Sequence, residues 1–161
     1  MSNVEGIIKA SGHSEKEMRR TSGNNPQVKG SWDQIWEAAD RIASYLSVLL
    51  AIDYDIDAID RIAKARKPDD LMEGIYNALR RRDNLEDKVN KALKALENTS
   101  GDKAQALSDA LRMLRGLNPS HLEVIKRLEG RDVKLVASYI GSKALAHTRT
   151  IGILREMFRS R

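Results

Sequence analysis

The densest run of side chains able to do chemistry is Asp53-Tyr54-Asp55-Ile56-Asp57, followed by Asp60. Carboxylates at alternate positions are the ligand pattern of a calcium loop. Such a loop also needs glycine at its sixth place for the turn and a bidentate glutamate at its twelfth. Counted from Asp53, those places hold Ala58 and Lys64. Helix capping explains the run better: Asp55 or Asp57 as N-cap, with the remaining carboxylates compensating the positive end of the helix dipole. General acid–base or two-metal chemistry would need a histidine partner or a second acidic motif, and neither is present. His13, His121 and His147 are far apart, and none has a second histidine at i+4. The chain has no cysteine, which removes thiolate catalysis, disulfides and Cys-ligated zinc. Phosphate-binding glycine loops and a nucleophile elbow are also missing. The sequence therefore assigns no catalytic residue, no metal ligand and no cofactor.

What remains is charge. The chain of 161 residues carries a formal net charge of +5, unevenly spread. Residues 31–60 hold one Arg against seven acids, a net −6, whereas residues 101–161 sum to +6. Basic residues concentrate where helices end or turn: Arg80, Arg81, Arg82, Arg112, Arg115, Lys126, Arg127 and Arg131, continuing at Lys134, Lys143, Arg149 and Arg155. Lining one groove, they would neutralise several phosphates, with an affinity that falls steeply with salt. Seven aromatic residues are few for base stacking, and no helix-turn-helix reading surface is identifiable. The expected mode is contact with a nucleic-acid backbone without sequence preference. The plain alternative is a solvated charged face.

These side chains need elements to position them. Apolar positions recur at helical spacing and no alternating strand run occurs. The composition predicts an all-α fold, a compact bundle of six to seven helices. Residues 1–30 hold a Gly-Asn-Asn-Pro turn and little periodicity; they read as a flexible arm, with a short helix over residues 15–20, ahead of a single domain over 31–161. Ser31 and Gln34 match a capping box opening the first firm helix. Trp32 and Trp36 on that helix read as core or interface anchors rather than as a base-stacking platform. Pro68 and Asn118-Pro119 mark two later helix starts. Residues 131–161 read as one long basic amphipathic helix. Gly141, Ala144, Thr148 and Gly152 would give it a ridge of small side chains on which a second copy could pack. No apolar run is long enough to span a membrane and the first residues do not resemble a signal peptide, so a cytoplasmic protein is expected.

Residues 44–82, SYLSVLLAIDYDIDAIDRIAKARKPDDLMEGIYNALRRR, resemble the small subunit of archaeal type I-A CRISPR Cascade effector complexes. The shared features are an apolar helix, an Ile-Asp-Arg-Ile-Ala helix over residues 59–63, and a short helix with a basic tail. The resemblance implies an antiviral, non-enzymatic subunit of a ribonucleoprotein. It would stack in several copies beside other subunits and steady single-stranded DNA or the guide–target duplex, while guide pairing reads the sequence.

A second class of reading is a helical protein–protein or oligomeric module, such as a regulator or a viral or plasmid-borne structural protein. It would use the small-residue ridge and leave the arginines solvated. Position separates the two: a phosphate-holding subunit brings Arg81, Arg115, Arg127 and Lys143 to one face, and an interaction module scatters them.

Overall fold

The computed structural model describes residues 26–96 and 101–159, with side chains from residue 32 onward. Eight helices and no strand occur among the described residues, so the fold is all-α. They are α1 (Pro26–Asp53), α2 (Ile56–Ala63), α3 (Pro68–Leu79), α4 (Arg82–Leu96), α5 (Asp102–Arg115), α6 (Pro119–Lys126), α7 (Arg131–Ala144) and α8 (Thr148–Phe158).

The organising element is α1. Its 28 residues make a rod about 40 Å long. Helices α2, α3, α5, α6, α7 and α8 pack on it, and α4 closes over α5. Every residue over 45–52 is buried, as a helix that is apolar all round requires. The one polar member, Ser47, donates its hydroxyl to the Ser44 carbonyl at 2.7 Å, so it does not sit unsatisfied in the core. Trp36 is buried. Trp32 stacks on it at 5.7 Å and Tyr139 meets it edge-on at 4.8 Å, so both tryptophans serve the core.

The start of α1 departs from the sequence reading. Ser31 lies inside the helix, which begins five residues earlier at Pro26, so it is not the N-cap. Proline suits a first helical position, where its missing N–H is not needed. Gly30 then sits in the helix interior, at a cost of about 1 kcal/mol relative to alanine, which a long packed helix tolerates. Residues 26–30, expected in the arm, are helical. The short helix expected over 15–20 lies outside the described residues.

The expected long C-terminal helix is two helices. The chain tightens at Leu145 and Ala146, whose amides bond Ser142 and Lys143 carbonyls at 3.2 and 3.0 Å, and α8 restarts at Thr148. The break lets α7 pack on α1 and α2 while α8 turns onto α1 and α5. It falls in the only part of 131–158 without core residues, between Ala144 and Leu154.

The small-residue ridge does not survive the break. A Cβ built on Gly141 would stand 2.5 Å from the Cβ of Ala63, so Gly141 lets α7 and α2 approach closely within one molecule. Ala144 is also buried. Thr148 and Gly152 are exposed, and open space surrounds the Gly152 Cβ position. The four residues are not one interface.

Candidate nucleic-acid interface

Most of the twelve basic residues are engaged inside the molecule, and helix ends explain why. The last carbonyls of a helix lack intrahelical donors and carry partial negative charge. Arg82 meets this need for α5, donating to the Leu114 and Leu117 carbonyls at 3.0 and 2.6 Å while its guanidinium lies 6.0 Å above the Tyr45 ring. Tyr45 donates to the Ala78 carbonyl at 2.5 Å, and burial pushes its phenol pKa up. At the C-terminus of α1, Arg155 donates to the Ala51 carbonyl at 3.0 Å.

Asp53, the last residue of α1, places a carboxylate at the unfavourable end of the helix dipole. Arg81 and Lys88 offset it at 3.4 and 2.9 Å. Arg81 also reaches Asp55 at 2.6 Å. Asp55 caps α2 by accepting from the Ala58 amide at 3.0 Å, the role its position in the sequence suggested. The acidic run is thus a joint between α1, α2, the α3–α4 turn and α4. Among the described residues, no group of three or more His, Asp or Glu side chains is arranged to hold a metal.

The remaining engaged cations form surface pairs. Arg115 pairs with Glu86 at 3.1 Å, Arg112 with Asp109 at 2.7 Å, Arg149 with Asp102 at 3.2 Å and Lys126 with Glu123 at 3.3 Å. Such exposed pairs contribute little stability, about 0–1 kcal/mol. Glu123 first, and Tyr76 after it, raise the Lys126 pKa above its ordinary value.

Lys143 stands apart. It is half-buried and its charge acts on Asp40 and His147. Asp40 and Asp53 are separated along α1 by about 20 Å at the helical rise. Lys143 and Arg81 therefore serve different regions, and the face expected to join Arg81, Arg115, Arg127 and Lys143 does not form.

Four cations are left. Arg80, Arg127, Arg131 and Lys134 are exposed and make no ion pair among the described residues. Arg80 and Lys126 line one groove of about 480 Å³ between α3 and α6, which also holds Asp69, Glu73, Met72 and Tyr76. Its mixed charge suits a phosphate poorly. Arg127, Arg131 and Lys134 lie beyond it, on the α6–α7 turn and the first turn of α7, with Glu129 and Asp132 between them.

No protein-family model matches this chain, and neither does any curated protein or solved structure.

Two histidines have structural settings. His121 accepts the Asn118 amide on Nδ1 at 3.2 Å, while Asn118 accepts from the Ser120 amide at 3.0 Å, forming the cap of α6. Burial first, then Arg41, lowers its pKa against the opposing pull of Glu37. An imidazole accepting on Nδ1 must be neutral, so the geometry and the shift agree. His147 precedes α8; burial first and Lys143 second lower its pKa, against Asp40. Its Nε2 is buried without a hydrogen-bond partner among the described residues.

Sequence reading did not find Lys88 or Arg155 as partners of the α1 C-terminus, nor the Asp40–Tyr139 pair. The available signal was an acidic residue ending an apolar helix, which demands cations from elsewhere. It does not say which ones.

Proposed function

We propose that the protein is a non-catalytic, nucleic-acid-associated subunit that holds a phosphate backbone without reading its sequence. The observation that carries this reading is the set Arg80, Arg127, Arg131 and Lys134, exposed and without ion pairs among the described residues. Charge left unneutralised by its own fold is what a polyanion can use. The contact is smaller than twelve residues: Arg82, Arg155 and Arg81 support helix ends, and Lys143 belongs to another region. In a CRISPR effector of the kind that residues 44–82 resemble, guide pairing would supply sequence specificity. The protein's part would be to steady single-stranded DNA or the guide–target duplex among other ribonucleoprotein subunits.

A second reading, an interaction module with no nucleic-acid contact, is favoured by the scatter of Arg81, Arg115, Arg127 and Lys143 and by Leu135 and Leu145. These leucines are 41% and 47% exposed on the outer side of α7 and the turn after it, with exposed Ser138 and Ser142 between them. The two separate by direct binding of fluorescent single-stranded and duplex oligonucleotides to the full chain. The first reading expects salt-sensitive binding that is indifferent to sequence. Absence of binding at the lowest salt overturns it in favour of the second.

A further inference from the structure

Tyr54 is an outlier in backbone and in exposure. It follows the last residue of α1 with φ of +54°, the only non-glycine among the described residues with positive φ. A residue after a helix often adopts this left-handed conformation, but glycine or asparagine normally fills it, because a Cβ is strained there. A bulky aromatic is costly at such a place, and an observed outlier of this kind motivates a functional reading. Packing does not explain the choice: Tyr54 is 63% exposed, the highest among the large apolar or aromatic residues that the described surface leaves out of the core.

The surroundings point to a ligand class. The Arg155 guanidinium lies 4.7 Å from the Tyr54 ring centroid and is fixed by its bond to the Ala51 carbonyl. The ring is thereby held from one side, and its exposure leaves room for a second planar group on the other. Both sequence neighbours of Tyr54 hold cations: Asp53 holds Arg81 and Lys88, and Asp55 holds Arg81. Arg155, Arg81 and Lys88 are matched by Asp53, Asp55 and Asp57, so the locality carries no net charge against a strand. Ile56, 45% exposed, adds an apolar contact two residues on. Arg81 is adjacent in sequence to Arg80, so the α3–α4 turn lies between this ring and the groove rim.

We infer that Tyr54, backed by Arg155, is a stacking position for one unpaired nucleobase. This rests on the nucleic-acid reading above and adds a preference to it. A base in a duplex has both faces covered, so the position selects single strands. Stacking on an aromatic ring tolerates any base, consistent with a protein that does not read sequence.

The test compares wild type, Tyr54→Phe and Tyr54→Gly on a fluorescent oligothymidine strand and on a duplex of equal length. A strand carrying one 2-aminopurine reports stacking by quenching. Glycine relieves the positive φ, so Tyr54→Gly is expected to fold with an unchanged or higher melting temperature. It is expected to weaken single-strand binding by about fivefold to a hundredfold, to abolish quenching and to leave duplex binding unchanged. Tyr54→Phe is expected to behave as wild type. Equal single-strand binding and quenching by Tyr54→Gly and wild type would overturn this inference and leave the backbone contact standing. Failure of wild type to bind either oligonucleotide would overturn both.

Discussion

The Tyr139 hydroxyl donates to the Asp40 carboxylate at 2.5 Å, across 99 positions of sequence. The pair ties α7 to α1 beside the Trp36 ring. Burial raises the Asp40 pKa, and the Tyr139 bond, then Lys143 and His147, pull it back. Tyr139→Phe leaves that carboxylate buried without its donor. The expected loss is about 1–3 kcal/mol of unfolding free energy, measured by urea denaturation at neutral pH. The loss should shrink in acid, where Asp40 takes up its proton and needs the donor less.

Stability should fall as the medium is acidified below pH 6.5, the ordinary histidine value. Both His121 and His147 have lowered folded-state values, so between 6.5 and those values the unfolded chain binds protons that the folded chain refuses. Unfolding free energy therefore drops with falling pH across that window and levels off below it. His121→Gln keeps an acceptor at the third position of α6 without a titrating group. It should flatten part of the slope in a series of denaturation curves, whereas His121→Ala should lower stability at every pH.

Arg82 and Arg127 should separate stability from binding. Arg82→Met removes both donors to the α5 terminus, with an expected cost of about 1–3 kcal/mol. Arg127→Glu alters an exposed residue and should stay within about 0.5 kcal/mol of wild type, while weakening oligonucleotide binding. Melting temperature and binding affinity measured on both variants check the pair.

Gly141→Val should destabilise the monomer, because the added Cβ would collide with Ala63. Overpacking of this kind costs about 1–3 kcal/mol or more. Gly152→Ala meets open space and should stabilise α8 by up to about 1 kcal/mol. Neither substitution should change the mass measured by light scattering, unlike the outcome expected had the four small residues formed an interface between copies.

The all-α fold, the cap at Asp55, the two proline-initiated helices and the tryptophan anchors were legible because each rests on a local rule of spacing or capping. The start of α1 was misplaced because Ser31 and Gln34 satisfy a capping pattern that Pro26 pre-empts. The α7–α8 break was not legible, because Leu145 and Ile151 continue the helical spacing of a buried face and only the fold leaves Leu145 exposed. Ion pairing was hardest to read. Arg81, Lys88 and Arg155 converge on the end of α1 through tertiary packing, and nothing in a run of basic residues distinguishes a cation bound for a carbonyl from one left to solvent.

Binding of the full chain to a fluorescent single strand, followed from about 50 to 300 mM salt, tests the central claim most directly. Wild type should give a straight log–log plot with slope of about −3, as expected for four phosphates neutralised on a single strand. The variant with Arg80, Arg127, Arg131 and Lys134 all changed to Glu should fold normally and lose that binding. Undiminished binding by the fourfold variant, or a wild-type affinity indifferent to salt, would contradict the assignment of these residues to a phosphate backbone.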